Sequence, residues 1–293
     1  MSAAAIPSCQ IIEAHAPTLI SNILTLAWRE LRDALRARSF LLYSLAFLAL
    51  GLGVSYVSAA GTGSLGLSGF GRTTAGLINI VLLVVPLMAL TTGASAIASD
   101  RERGMLLFLL AQPVSRLEVV LGKFLGLSGA LIACITLGLG ACSLVLAWQG
   151  GATEPRTMLW LAGLSVLLAL SMLSVGMLIS ALARKASVAV GTGVFLWLAL
   201  VFVTDLGLMA GTLALRLPVK TLFLLTLSNP LQAFKMWALH SIDASIDVLG
   251  PAGLYAMDTY HDALPWMFGA SMAAWIVLPL VAAALIFRTR SPV

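Results

Sequence analysis

The sequence predicts an all-α membrane protein, with six transmembrane helices preceded by an amphipathic helix lying in the membrane interface. Three observations carry this. Of the 293 residues, 60% are hydrophobic and only 10% charged, against roughly a quarter charged in soluble domains, and mean hydropathy is +1.03. Six stretches lack Asp, Glu, Lys and Arg, namely 39–71, 73–99, 124–153, 157–183, 186–204 and 263–287. Each is long enough to cross a hydrocarbon core of about 30 Å as a helix. A third signal, apolar residues three and four apart, marks residues 19–38. Such a composition excludes a soluble enzyme, and it carries too much apolar surface for a disordered chain.

Residues 1–18 read as an N-terminal tail. Pro7 and Pro17 interrupt them, and no basic segment leads into an apolar core, so they do not form a cleavable signal peptide. Residues 19–38 place Ile20, Ile23, Leu24, Ala27, Leu31 and Leu35 on one side, with Arg29, Arg32, Asp33 and Arg36 opposite. That pattern suits an interfacial helix whose cations lie near anionic headgroups; the other reading is a basic flank that merely orients the first span. Residues 39–293 then form the six-helix domain. The Gly-rich end of the first stretch, 61–71, reads as a loop.

Orientation follows from the flanking cations. With the N-terminus in the cytoplasm, 12 of the 17 Lys and Arg lie on inner segments and five on outer ones. The positive-inside rule therefore places both termini in the cytoplasm. The net charge of +5 is thereby explained by membrane flanks, and no nucleic-acid partner is implied.

Two connections stand out. The inner loop 99–123 opens with Asp100, Arg101, Glu102 and Arg103, continues through Gly104 into the apolar run Met105–Leu110, breaks at Pro113 and resumes with Arg116, Glu118 and Lys123. Six apolar residues cannot cross a bilayer. They fit either a groove on a cytoplasmic partner protein or a re-entrant turn packed against their own bundle. The outer segment 206–262 is the longest connection and contains Pro218, Asn229-Pro230 and Gly250-Pro251. It has room for several short helices and a docking surface.

Catalytic signatures are absent. No G-x-x-x-x-G-K-[ST], G-x-S-x-G or H-E-x-x-H occurs, so neither nucleotide phosphates nor a hydrolytic zinc is held in the usual way. Gly61-Thr62-Gly63-Ser64-Leu65-Gly66 matches G-x-G-x-x-G but reads as a flexible turn. Cys9, Cys134 and Cys142 provide no disulfide framework; the last two read as small residues of the membrane core. Met236 with His240, and Met257 with His261, are spaced to share helix faces. Thioether plus imidazole suits Cu(I), although packing and surface roles account equally for these residues. Asp205, near the outer end of the fifth span, is either a pathway or helix-packing residue or a marker of the membrane boundary. Gly122-x-x-x-Gly126 and Gly207-x-x-x-Gly211 are candidates for close helix contact.

Taken together, the six spans, the preceding amphipathic helix and the inner-loop run from Glu102-Arg103-Gly104 through Leu110 to Gln112-Pro113-Val114-Ser115-Arg116 resemble the permease subunit of ATP-binding-cassette transporters of the type-2 exporter class. The resemblance begins near residue 20. It implies a homodimer served by two cytoplasmic ATPase subunits, with ATP and Mg bound by those subunits and no cofactor on this chain. It also implies an inner-membrane location and an ATPase-coupling role for Arg101, Glu102, Gly104, Leu107, Phe108, Leu110, Pro113 and Arg116. Met105 stands where Thr is commoner in the class, and Phe108 where some members carry Glu. Three further stretches, Ala27–Asp33, Phe202–Leu206 and Ser228–Pro230 with Phe234-Lys235, resemble permeases that serve maturation of the copper–sulfide centre of nitrous oxide reductase. That likeness implies a periplasmic β-helical partner. The alternatives are a generic lipid, drug or polysaccharide export permease, or an ion-coupled carrier, for which the spans supply too few acids. Whether copper, a sulfur compound or only a mechanical signal crosses stays open at this point.

Overall fold

The computed structural model describes residues 19–60, 66–111, 114–148, 155–213, 218–241, 259–260 and 263–289. Among them the chain is helical throughout, without a strand. Helix α1 (Leu19–Arg36) leads through Ala37 into α2 (Arg38–Ala60), followed by α3 (Gly66–Glu102), the six-residue α4 (Met105–Leu110), α5 (Arg116–Trp148), α6 (Pro155–Leu182) and α7 (Ala186–Leu213). Two short helices, α8 (Val219–Ser228) and α9 (Pro230–His240), precede the last, α10 (Leu264–Thr289). The tail 1–18 and the turn 61–65 lie outside the described residues.

Among the described residues, five helices are long and apolar enough to cross a membrane: Arg38–Val57, Thr74–Glu102, Arg116–Trp148, Pro155–Leu182 and Leu264–Thr289. In lipid every peptide group must be satisfied within its own segment, which selects this form. α7 is apolar over Ala186–Phe202 and runs on to Leu213. Element ends differ from the sequence pattern in a consistent way. α3 begins at Gly66, inside the stretch read as loop, and α5 begins at Arg116, well before the apolar run at 124. Helical hydrogen bonding continues past the apolar window until a cap or turn stops it, so hydropathy marks the membrane crossing and not the helix.

The centre of the bundle is the crossing of α3 and α6, whose spans are 67% and 61% buried within the chain, against 22% for those of α2 and α10. Glycine makes this crossing possible. A Cβ on Gly93 would lie 2.6 Å from the Leu173 carbonyl oxygen and 3.1 Å from the Gly176 Cα; one on Gly176 would lie 2.6 Å from the Leu90 carbonyl oxygen. The two backbones are therefore in contact. Just below, the buried Ser180 hydroxyl oxygen accepts hydrogen bonds from Ile97 N (2.9 Å) and Ala98 N (2.8 Å). Ala94 and Ala98 of α3 meet Ala189 of α7 on the neighbouring side.

The flanks pack through the same device. A Cβ on Gly51 of α2 would meet Cys142 Sγ of α5 at 2.7 Å, and Phe47 lies over Gly138. Cys134 and Cys142 are buried packing residues, the Cys134 thiol donating to Ser44 Oγ at 3.1 Å.

On the far side of the bundle from the charged loop, α8 and α9 form a helix–break–helix unit. Asn229 N-caps α9 by accepting from Leu231 N (2.9 Å), while its Nδ2 donates to the Leu200 carbonyl of α7 (2.9 Å). Pro230 occupies the first turn, where its missing N–H is harmless. Trp275 Nε1 donates to the freed Ser228 carbonyl (3.1 Å), tying the break to α10. Exposed Tyr56, Trp148, Trp160 and Trp266 all lie near the helix ends on this side, where the membrane–water boundary favours amphipathic rings.

Because a side chain at the α3–α6 crossing must displace backbone, Gly176→Leu should destabilise the permease by about 1–3 kcal/mol. Gly163→Leu, at a position where an added Cβ would meet nothing within 4 Å, should not. Thermal unfolding in detergent, followed by fluorescence-detected gel filtration, separates the two.

Candidate functional site

The charged loop 99–123 is built as a hub. α3 ends at Glu102, and Gly104 takes the left-handed conformation, φ +71°, that stops the helix and turns the chain into α4. The turn closes with hydrogen bonds from Arg103 N to the Ser99 carbonyl (3.1 Å) and from Gly104 N to the Arg101 carbonyl (3.2 Å). A side chain there would cost about 1–2 kcal/mol. α4 then runs with Leu106 and Leu109 buried and Met105 and Phe108 outward, Phe108 being 63% exposed. Its apolar surface thus points in two directions, one into the bundle and one away from it.

Around this element the loop's charges reach neighbouring helix ends. Arg101 donates from Nη1 to the Ala183 carbonyl, just beyond the C-terminus of α6. Glu102 Oε2 accepts from Ala186 N (3.0 Å), the first residue of α7. Beyond α4, Arg116 Nη1 donates to the carbonyls of Phe287 (3.1 Å) and Arg288 (2.8 Å) in the last turn of α10. Cations thus meet two carbonyl ends and a carboxylate meets an amide end, each arrangement favoured by the helix dipole and by the unpaired backbone groups there. α5 starts with a capping box: Ser115 Oγ accepts from Glu118 N (3.2 Å) while Glu118 Oε2 accepts from Ser115 N (3.3 Å). Glu118 is buried and also accepts from Asn22 Nδ2 of α1 (3.1 Å).

α1 is seated on α5 over Gly122 and Gly126. A Cβ on Gly122 would lie 2.7 Å from Leu26 Cβ, and one on Gly126 would lie 2.7 Å from Glu30 Cβ. This glycine pair makes a helix contact, whereas a Cβ on Gly207 would meet nothing within 4 Å. Beside the seat is Lys123, only 2% exposed. Its Nζ lies 2.6 Å from Glu30 Oε1 of α1 and 2.7 Å from Asp100 Oδ2 of α3. Three helices thus meet at one ammonium. This triad forms part of the wall of a cavity of about 580 Å³ between the inner ends of α1, α2, α3, α5 and α7, whose lining includes Tyr43, Thr92, Ser95 and Ser99.

Of the residues singled out from sequence, Arg101, Glu102, Gly104, Phe108 and Arg116 come together in this hub. The side chains of Leu107, Leu110 and Asp205, together with Pro113, Met257 and His261, lie outside the described residues; Asp205 falls within α7, two turns before its end. Met236 and His240 are half-buried on α9, and no group of three metal-binding side chains occurs among the described residues. The partners that sequence reasoning missed are Lys123, Glu30, Asp100, Asn22 and the capping role of Ser115 and Glu118. Ser-x-x-Glu before an apolar run was a readable signal for the last, and a lysine at the very edge of a membrane-crossing run called for carboxylate partners.

A helical bundle of membrane-crossing segments with a charged hub at one end is the architecture of a multi-pass membrane protein. The chain matches the ABC-2 family of transporter proteins over residues 24–291 and belongs to that family. It is 31% identical over 278 residues, 92% of this chain and 99% of the other, to the Stutzerimonas stutzeri protein named "Probable ABC transporter permease protein NosY". The Pseudomonas aeruginosa protein of the same name is 32% identical over 280 residues, covering 92% and 98% of the two chains.

Removing one partner of a buried ionic cluster strands the others at a cost of about 3–5 kcal/mol. Lys123→Met should therefore lower the unfolding temperature of the purified permease clearly, as read by intrinsic tryptophan fluorescence. Arg29→Ala, which removes an exposed 3.7 Å pair with Asp33, should leave it nearly unchanged.

Proposed function

We propose that the chain is the membrane half of a homodimeric transporter driven by two separate cytoplasmic ATPase subunits, which bind ATP and Mg while this chain binds no cofactor. In this reading α7 is the sixth span, both termini are cytoplasmic, the protein sits in the inner membrane, and α1 lies in the inner interface. The support for α1 is its three-sided character. Ile23, Leu26, Ala27 and Glu30 turn toward α5, Ile20, Leu24, Trp28 and Leu35 are exposed apolar residues, and Arg29, Arg32 and Arg36 form a separate cationic stripe. Exposed apolar residues on α2 (Leu41, Leu42, Leu45) and α7 (Val188, Phe195) supply outward faces against which the second copy can pack.

One observation carries the coupling reading. Phe108, an aromatic side chain, stands outward on a six-residue helix that is too short to cross lipid and is joined through the Gly104 turn to the end of α3. A well-exposed aromatic fixed on a rigid mount suits a pocket on a partner. Nucleotide-dependent closure of the ATPases then moves α4, and the hub distributes that displacement to the spans and to the outer segment 206–262. Such a step requires that the ATPase bind the two permease states with different affinity.

The biological step we propose is maturation of the copper–sulfide centre of nitrous oxide reductase, with a periplasmic β-helical partner docked on the outer segment. The resemblance of Ala27–Asp33, Phe202–Leu206 and Ser228–Pro230, and the similarity to the two NosY permeases, support it. Deleting the gene and measuring copper and sulfide in the isolated reductase tests this assignment. Depleted cofactor is expected; a normal content would eliminate the maturation role and leave a generic lipid, drug or polysaccharide export permease. The ATPase contact is tested separately by Phe108→Asp. Losing an anchor of this kind weakens association by roughly 30-fold or more, so the variant should insert normally and fail to co-purify with the ATPase.

A further inference from the structure

We infer that Lys123 is a positioning residue that makes α1, the inner end of α3 and the inner end of α5 move as one body when the ATPase acts on α4. The inference rests on the ATPase-coupling reading above and adds the route by which the displacement reaches the interfacial helix. Gly104 joins α4 to α3, and Asp100 lies one helical turn before it. Asp100 Oδ2 meets Lys123 Nζ at 2.7 Å, and the same nitrogen meets Glu30 Oε1 at 2.6 Å. A displacement of α4 therefore passes along one short chain of charges to α1.

Two features make this connection stiff. First, the ammonium is buried while both carboxylates border the cavity, so separation of any member would leave a charge without its partner in a poorly solvated place. Second, α1 has no room to slide along α5, because its backbone sits on Gly122 and Gly126 between the Asn22–Glu118 hydrogen bond at one end and the Glu30–Lys123 pair at the other. The cavity of about 580 Å³ between the loop-side ends of α1, α2, α3, α5 and α7 gives the α1 and α5 side of the block room to shift relative to α7. Arg101 and Glu102, two neighbouring side chains of the same turn, hold the opposite group, the α6–α7 connection. The inner end of α3 is thus the shared edge of two bodies, and Lys123 decides that α1 travels with it.

The test uses the full-length permease assembled with its ATPase subunits in lipid nanodiscs. It compares wild type with Lys123→Arg, Lys123→Met and the charge-free variant Glu30→Gln/Asp100→Asn/Lys123→Met. Hydrogen–deuterium exchange of α1 is measured without nucleotide and with ATP plus vanadate. Wild type and Lys123→Arg should show a nucleotide-dependent change in α1; Lys123→Met and the charge-free variant should lose it while retaining the ATPase. The charge-free variant guards against misfolding, since its α6 exchange without nucleotide should match wild type. A charge-free variant in which α1 responds as in wild type overturns the inference, as does a wild-type complex in which α1 does not respond at all. Failure of the wild-type permease to retain the ATPase would instead refute the coupling reading on which the inference rests.

Discussion

An ammonium group buried among helices has to be paired where it stands, and that requirement organises the inner half of this protein. Lys123 is buried near the start of α5, and α1 supplies Glu30 and α3 supplies Asp100 to pair it. Neither carboxylate can leave without stranding charge, so the three helices are held in fixed register. The same logic governs the rest of the loop. Arg101, Arg116 and Glu102 each engage backbone groups at helix ends that would otherwise lack partners. Charges that look like a solvated cluster in the sequence are fasteners in the fold.

The apolar part of the bundle answers a different constraint. Between helices in lipid the hydrophobic effect gives little preference for helix over lipid tail, so association depends on close contact. Gly93 against Gly176, Gly51 against Cys142 and Gly122 with Gly126 against α1 bring backbones together where larger residues would hold them apart. Glycine seats within the bundle and ionic ties at one end of it divide the work: the first fix how helices cross, the second fix which helix ends are held together.

Much of the fold was legible in the sequence. Five of the six charge-free runs coincide with helices long enough to cross a membrane, and the period read over residues 19–38 located α1, which ends at Arg36. The end points were not legible, because hydropathy reports the solvent of a segment and not its hydrogen bonding; α5 starts at a capping box eight residues before its charge-free run begins. The inner loop was recognised by its short apolar run and Gly104. Which face of that run turns inward was not, since a six-residue stretch of Met, Leu and Phe has no polar member to mark its outer side. Nor was the triad, because Glu30, Asp100 and Lys123 are far apart along the chain and only the fold brings them to one point. Asp205 and the Met257/His261 pair, suggested by residue chemistry alone, gained no geometry among the described residues.

We propose that this permease couples to a motor through α4, which would present Phe108 to a cytoplasmic ATPase. A photocrosslinking phenylalanine analogue at position 108, irradiated in intact membranes, addresses this directly. The expected product is a single adduct carrying the mass of the ATPase subunit, stronger with nucleotide bound than without. Adducts to lipid, to this chain or to a periplasmic protein, with no ATPase among them, would contradict it.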